Sequence, residues 1–188
     1  MNRGLRNNNP LNIRRSADRW EGARKEQTDK SFVQFETMAY GYRAAWKVLD
    51  TYCLTMRRER KAYNVKNIIA RWAPPTENDT KAYVRTVVGL SGLGGNENIP
   101  RPLRGRDLEK TARLIAAMTC VECGIRYGEV DWGAIWQGYD LAFPGKHMEK
   151  CPYPSGGTPV VPQPLALPAS VEEHFHAWDE YWDWSAQA

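Results

Sequence analysis

Five blocks of apolar residues at helical spacing, separated by proline-, glycine- or charge-rich breaks, most limit what this chain can fold into. In the first block Ala44, Val48, Tyr52 and Met56 recur with Leu49 and Cys53 beside them, the period of a helix with one buried face. Arg57, Arg58, Arg60 and Lys61 follow, the charge that a helix C-terminus favours. The pattern predicts a second helix over Val65–Trp72, stopped by Pro74 and Pro75, because the residue before a proline is pushed out of helical geometry. Glu77-Asn78-Asp79 opens a third over Thr80–Leu90, Asp107 is placed to cap a fourth over Leu108–Cys123, and a fifth covers Asp131–Leu141. Ahead of them Asn7-Asn8-Asn9-Pro10 signals a turn. Asn12–Arg15 and Ser31–Phe35 are short extended segments whose apolar residues do not alternate cleanly, so a small, irregular β-hairpin is expected. The fold class is α+β, mainly α, in one domain spanning residues 1–150.

After residue 150 the composition changes. Six of the twelve prolines fall between Cys151 and Pro168, which predicts an extended linker over 151–169. Ser170-Val171-Glu172-Glu173 has the form of a capping box. It opens an acidic, aromatic segment, 170–188, with Phe175, Trp178, Tyr181, Trp182 and Trp184. Two readings stand for that segment: a helix that docks on the basic body, or a tethered peptide that binds an assembly, delivery or immunity partner.

The charge is split along the chain. Residues 151–188 hold five acids and no Lys or Arg, which leaves 26 basic against 17 acidic residues in 1–150, a balance of +9. A basic body favours polyanions such as nucleic acid, membrane surfaces or an anionic cell wall. No nucleic-acid motif accompanies it, and Gly89-Leu90-Ser91-Gly92-Leu93-Gly94-Gly95 lacks the lysine of a phosphate-binding loop. No apolar run reaches the length of a membrane span, and Met1–Arg6 lacks the apolar stretch of a secretory signal. The expectation is synthesis in a cytoplasm, with any action outside it depending on another agent to carry or release the chain. Cys120 and Cys123 form a C-x-x-C inside a helix, with His147 and Cys151 the nearest further ligands for zinc. Buried thiols are the preferred reading, and a Cys53–Cys120 disulfide requires an oxidising space. No metal or other cofactor is expected.

Glu122 has two readings, an exposed carboxylate on the polar side of an amphipathic helix or a buried general acid. It ends the apolar run Leu114–Val121 just before Gly124, where loss of water makes an ionised carboxylate costly and favours the protonated acid. A protonated carboxyl at neutral pH is what a general acid needs. A second carboxylate for glycosidic-bond cleavage is sought in the hairpin, at Glu21, Glu26, Asp29 or Glu36, with Glu36 preferred because it follows the second extended segment. Asn7, Asn8 and Asn9 offer amide donors and acceptors to sugar hydroxyls, although asparagine also favours turns. Trp20, Trp72 and Tyr83 offer faces for sugar rings, with Trp72 assigned to the core.

Several separated blocks agree with a known family. They are Arg3-Gly4-Leu5-Arg6-Asn7-Asn8-Asn9-Pro10-Leu11-Asn12-Ile13-Arg14, Trp20-x-Gly22, Phe32–Phe35, Gly41-Tyr42-Arg43-Ala44, and Ile69-x-Arg71-Trp72-Ala73-Pro74-Pro75-Thr76-Glu77-Asn78-Asp79-Thr80 with Tyr83. In this order, over roughly residues 3–143, the chain resembles phage virion-associated, lysozyme-like structural proteins. The order of blocks also resembles a circular permutation of bacterial glucosaminidases and lytic transglycosylases, with the asparagine turn first and the Glu122 helix last. Nearby termini make such permutations feasible. Cys123 stands where those enzymes carry Ser, and Pro10 and Asn12 alter the turn. The resemblance implies a lysozyme-like helical domain with a small hairpin. It further implies a peptidoglycan glycan-strand hydrolase acting at the bacterial cell wall or periplasm, from a virion or as a delivered effector, with Glu122 and Glu36 as catalytic residues and Asn7, Asn8, Asn9, Trp20 and Tyr83 as substrate-binding residues. The alternative it leaves is a non-catalytic virion or peptidoglycan-binding protein.

Overall fold

The computed structural model describes residues 2–102 and 108–145. The Asp107 cap, His147 and Cys151 as metal ligands, the 151–169 linker and the 170–188 segment lie outside the described residues. Six α-helices are present among those described: α1 (Arg3–Arg6), α2 (Met38–Arg58), α3 (Val65–Trp72), α4 (Thr80–Ser91), α5 (Leu108–Cys123) and α6 (Trp132–Ala142), with a 3-10 turn at Tyr127–Glu129. None of the described helices is long and apolar enough to cross a membrane.

Local signals set the ends of these helices. Asn64 accepts a hydrogen bond from the Asn67 amide and caps α3, Asp79 accepts from Ala82 and caps α4, and Asp131 accepts from Ala134 and caps α6. Each side chain satisfies a backbone donor that the first helical turn leaves unpaired. Gly92 closes α4 with φ 65°, the left-handed geometry that glycine adopts without steric cost.

Helix α5 lies at the centre. Leu114 to Cys120 are buried without interruption, as expected of a helix that is apolar around its circumference. It packs against α1, α4, α6 and the 3-10 turn. Helix α2 presents Tyr42, Ala45, Trp46 and Leu49 inward and forms its most extensive pairing with α6. The two approach closely because Gly138 faces Tyr42, and the Trp46 indole donates to the Ile135 carbonyl at 2.9 Å. A smaller apolar cluster of Ile13, Val33, Phe35 and Ala44 fastens the N-terminal segment to the outer side of α2.

The expected β-hairpin does not form as paired strands. Segment 12–35 makes single antiparallel bridges, Arg14 with Phe32 and Ala23 with Phe35. Side chains take the place of a ladder. The Gln34 side-chain oxygen accepts from the amides of Thr28 and Asp29, and the Gln27 side-chain oxygen accepts from the Gln34 amide. Polar side chains that bond nearby backbone compete with regular pairing, so this segment is an irregular loop pinned by amides. Helix α1 also departs from the sequence reading: four residues hold no apolar period, and Asn2 makes the turn by accepting from the Gly4 amide.

Candidate functional site

Glu122 occupies the last turn of α5, where the helix leaves the core and stops before Gly124 at φ 60°. The central helix thereby carries a carboxylate to the edge of the apolar interior, and Glu122 is half-buried. Three side chains from three other elements converge on it. The Trp72 indole at the end of α3 donates to Oε1 at 3.0 Å, and the Tyr83 hydroxyl of α4 donates to the same oxygen at 2.9 Å. The Asn12 amide donates to Oε2 at 2.9 Å and reaches the Glu122 main-chain carbonyl at 3.3 Å. Burial is the main reason the Tyr83 hydroxyl is held well above the usual phenol range, so it stays protonated and donates.

The asparagine turn is built to deliver Asn12. Its backbone sits at φ 48°, a left-handed geometry that asparagine tolerates better than most residues, and its main-chain N–H donates to the Asn9 carbonyl at 3.0 Å. Behind Glu122 the Cys123 thiol donates to the Pro10 carbonyl at 3.3 Å, which ties the end of α5 to the same turn. Burial is the main reason that thiol is pushed up to about 12. It therefore remains a neutral packing group and not a nucleophile at neutral pH. Cys53 and Cys120 are not joined by a disulfide.

Glu122 opens on a cleft of about 590 Å³, within the size range of small-ligand sites. One wall is the N-terminal segment with Asn12, Arg14, Asp18 and Trp20; the other is Tyr52 of α2, Trp72 of α3, and Glu77 and Asn78 of the following loop. Aromatic side chains and polar groups both line it. Arg14 and Glu77 pair at 2.9 Å.

The structure brings together only part of the residues expected here. Glu122, Trp20 and Tyr83 fall at the cleft or on its carboxylate, and Trp72, assigned to the core by sequence, joins them. Glu36 does not. It is exposed and absent from the cleft wall, because its main chain is tied to Gly22 and Asn8, neither of which lines the cleft. Glu21 is paired with Arg43, Glu26 is exposed, and Asp29 is buried beneath Arg3 and Asn7. The carboxylates that do share the cleft with Glu122 are Asp18 and Glu77.

The three asparagines are also placed elsewhere than expected. Asn7 and Asn9 are buried. Asn7 donates to Asp29 and accepts from Gln34, and Asn9 binds Ile13 through both amide and carbonyl and donates to Val33. Asn8 stands at φ 51° and donates to the carbonyls of Phe35 and Glu36. Their amides hold the loop, and none of them lines the cleft. The residues that sequence reasoning passed over, Asn12, Arg14, Glu77 and Asn78, sit within the two most distinctive blocks of the chain.

Fold and site together define a mainly helical protein with a carboxylate, clamped by three side chains, at a mixed aromatic and charged cleft. No family model matches the chain. It is 38% identical over 143 aligned residues to Protein P5 of Pseudoalteromonas phage PM2, across 73% of this chain and 82% of that protein. The chain belongs to the family of that phage protein.

Proposed function

We propose that this chain is a lysozyme-like phage protein that takes the glycan strand of bacterial peptidoglycan into the Glu122 cleft and cleaves it, with Glu122 as the general acid. The observation that carries this reading is the placement of Glu122: one carboxyl group at the end of the central helix, oriented by Asn12, Trp72 and Tyr83 beside a cleft with aromatic walls. Delivery of a proton to a glycosidic oxygen requires an acid fixed within hydrogen-bond reach of the bond. A route with a single carboxyl group, assisted by the substrate's acetamido group or ending in an anhydro sugar, needs no second one. A hydrolytic route would draw on Asp18 or Glu77. The reading calls on no metal or cofactor, and it sets the place of action at the cell wall, reached from a virion.

The test is digestion of purified peptidoglycan, with released muropeptides identified by mass spectrometry. Glu122→Gln should lower the rate about 10²–10⁴-fold, the usual contribution of a positioned acid, with an unchanged circular dichroism spectrum. Equal rates for both proteins would sink the role.

A second reading rests on one feature of the same site. Both oxygens of Glu122 already accept hydrogen bonds, Oε1 twice, as a carboxylate does when it joins helices rather than reacts. In that case the chain is a virion component that binds glycan without cutting it. It then sediments with peptidoglycan, releases no new sugar ends, and Glu122→Gln lowers the melting temperature instead of a rate.

A further inference from the structure

Three of the arginine–carboxylate pairs among the described residues contrast the scaffold with the cleft. Arg3 grips Asp29 with two donors at 2.7 and 2.6 Å, and the Asp29 side chain is 5% exposed. Arg101 grips Asp50 with two donors at 2.7 and 3.0 Å, and both side chains are largely buried. Arg14 touches Glu77 through a single nitrogen at 2.9 Å, and the two side chains are 75% and 54% exposed. The first two pairs are forked and shielded, the geometry that fixes structure. The third is single-pronged and open to water, the kind of pair that contributes little to stability and exchanges partners readily.

That third pair is also the one that stands in the cleft. Arg14 comes from the N-terminal segment two residues beyond Asn12, and Glu77 from the loop that follows Trp72. Their contact therefore joins the two walls near Glu122. A guanidinium offers five N–H donors in a plane suited to a carboxylate, and among the described residues the hydrogen bond of Arg14 is the single one to Glu77. Glu77 marks a position from which a carboxylate reaches that plane.

We infer that Arg14 is the specificity residue of the cleft: it binds a carboxylate carried by the glycan, on an acidic sugar substituent or the peptide stem, in exchange for Glu77. Glu77 is then an internal competitor that holds Arg14 in place until the ligand arrives. The inference rests on the glycan reading above and names the substrate class within it, a carboxylate-bearing strand in preference to an uncharged one.

The experiment measures binding by calorimetry in the full chain carrying Glu122→Gln, which prevents turnover. The probes are a disaccharide–tetrapeptide muropeptide and uncharged chitotetraose. The parent should bind the muropeptide more tightly. Adding Arg14→Ala should weaken muropeptide binding about tenfold, the loss of one charge-assisted hydrogen bond, and leave chitotetraose within twofold. Adding Glu77→Gln should tighten muropeptide binding, because the competitor is gone, and Arg14→Lys should restore part of it. If Arg14→Ala changes neither ligand, or weakens both equally, the inference falls while the glycan reading stands. If the parent binds neither ligand, the glycan reading falls and takes this one with it.

Discussion

Asn9 and Asn12 lie three residues apart and do different work. Asn9 spends its whole side chain on the backbone of Ile13 and Val33 in a buried setting. Asn9→Ala strands these groups and should cost about 3 kcal/mol in a urea melt, at roughly 1 kcal/mol or more per buried bond lost. Asn12 instead serves Glu122, and glycine keeps its left-handed backbone while it removes the amide. Asn12→Gly should cost only about 1–2 kcal/mol in the same melt, yet lower peptidoglycan cleavage or binding more than Asn9→Ala does. The sequence showed four asparagines in one turn and could not show this division, because it depends on which amide the fold turns inward. For the same reason Glu36 was indistinguishable from Glu77: both follow an apolar block, and only the fold decides which faces the cleft. Asp29 gives a separate prediction. Its hydrogen bonds, Arg3 first and then the Phe32 amide, hold its carboxyl well below the usual carboxylate range. The stability it supplies is complete above about pH 4, the ordinary carboxylate value. It is lost as pH falls from there through the lower folded value, since the unfolded chain then binds the proton more readily. Asp29→Asn should therefore flatten the acid limb of a melting-temperature-against-pH curve below about pH 4.

Between elements, the α2–α6 contact depends on one missing side chain. A Cβ at Gly138 would lie 2.7 Å from the Tyr42 Cβ, 2.8 Å from the Arg43 nitrogen and 2.9 Å from the Ala39 carbonyl oxygen. Two of these are backbone atoms of α2, so the helices must separate. Gly138→Ala should cost about 1–3 kcal/mol by thermal or urea denaturation, the range for an overpacked core. Gly133 is the control in the same helix, where the nearest atom to an added Cβ is the Asp131 carboxylate at 3.4 Å. Gly133→Ala should be neutral or gain up to about 1 kcal/mol from helix propensity. A destabilised Gly133→Ala would mean that α6 itself, not its contact with α2, is the sensitive part. Helices of this kind were the legible part of the chain. The bounds of α3 and α5 match those read from periodicity, and α4 and α6 match to within a residue or so, because apolar spacing, caps and prolines act locally. Segment 12–35 was not legible as an irregular loop. Its shape is set by side-chain amides reaching across up to 28 residues, as Asn8 does to Glu36, and no local pattern encodes such a bond.

At the scale of the whole molecule, charge is divided rather than mixed. Residues 1–150 carry +9 and residues 151–188 carry five acids without a base, which brings the chain to +4. Part of the positive charge is neutralised in place, as where Glu59 pairs with Lys61 and Arg71. Arg57 and Arg58 at the end of α2, and Arg60 just beyond it, remain exposed. An anionic wall attracts such a surface at long range, and salt screens that attraction over a Debye length of about 10 Å at 0.1 M. Removal of residues 151–188 takes away only acids among the charged groups, so the truncated chain should bind purified peptidoglycan more strongly than the full chain at low salt. Its binding should also fall more steeply as salt rises, and the two proteins should converge once screening is complete. Co-sedimentation across a salt series measures both slopes. Faster cleavage by the truncated chain at saturating peptidoglycan would go further and indicate that the acidic segment restrains the cleft, because adsorption is then no longer limiting. If both proteins sediment alike at every salt concentration, the basic body is not what holds the wall, and attachment must come from the cleft alone.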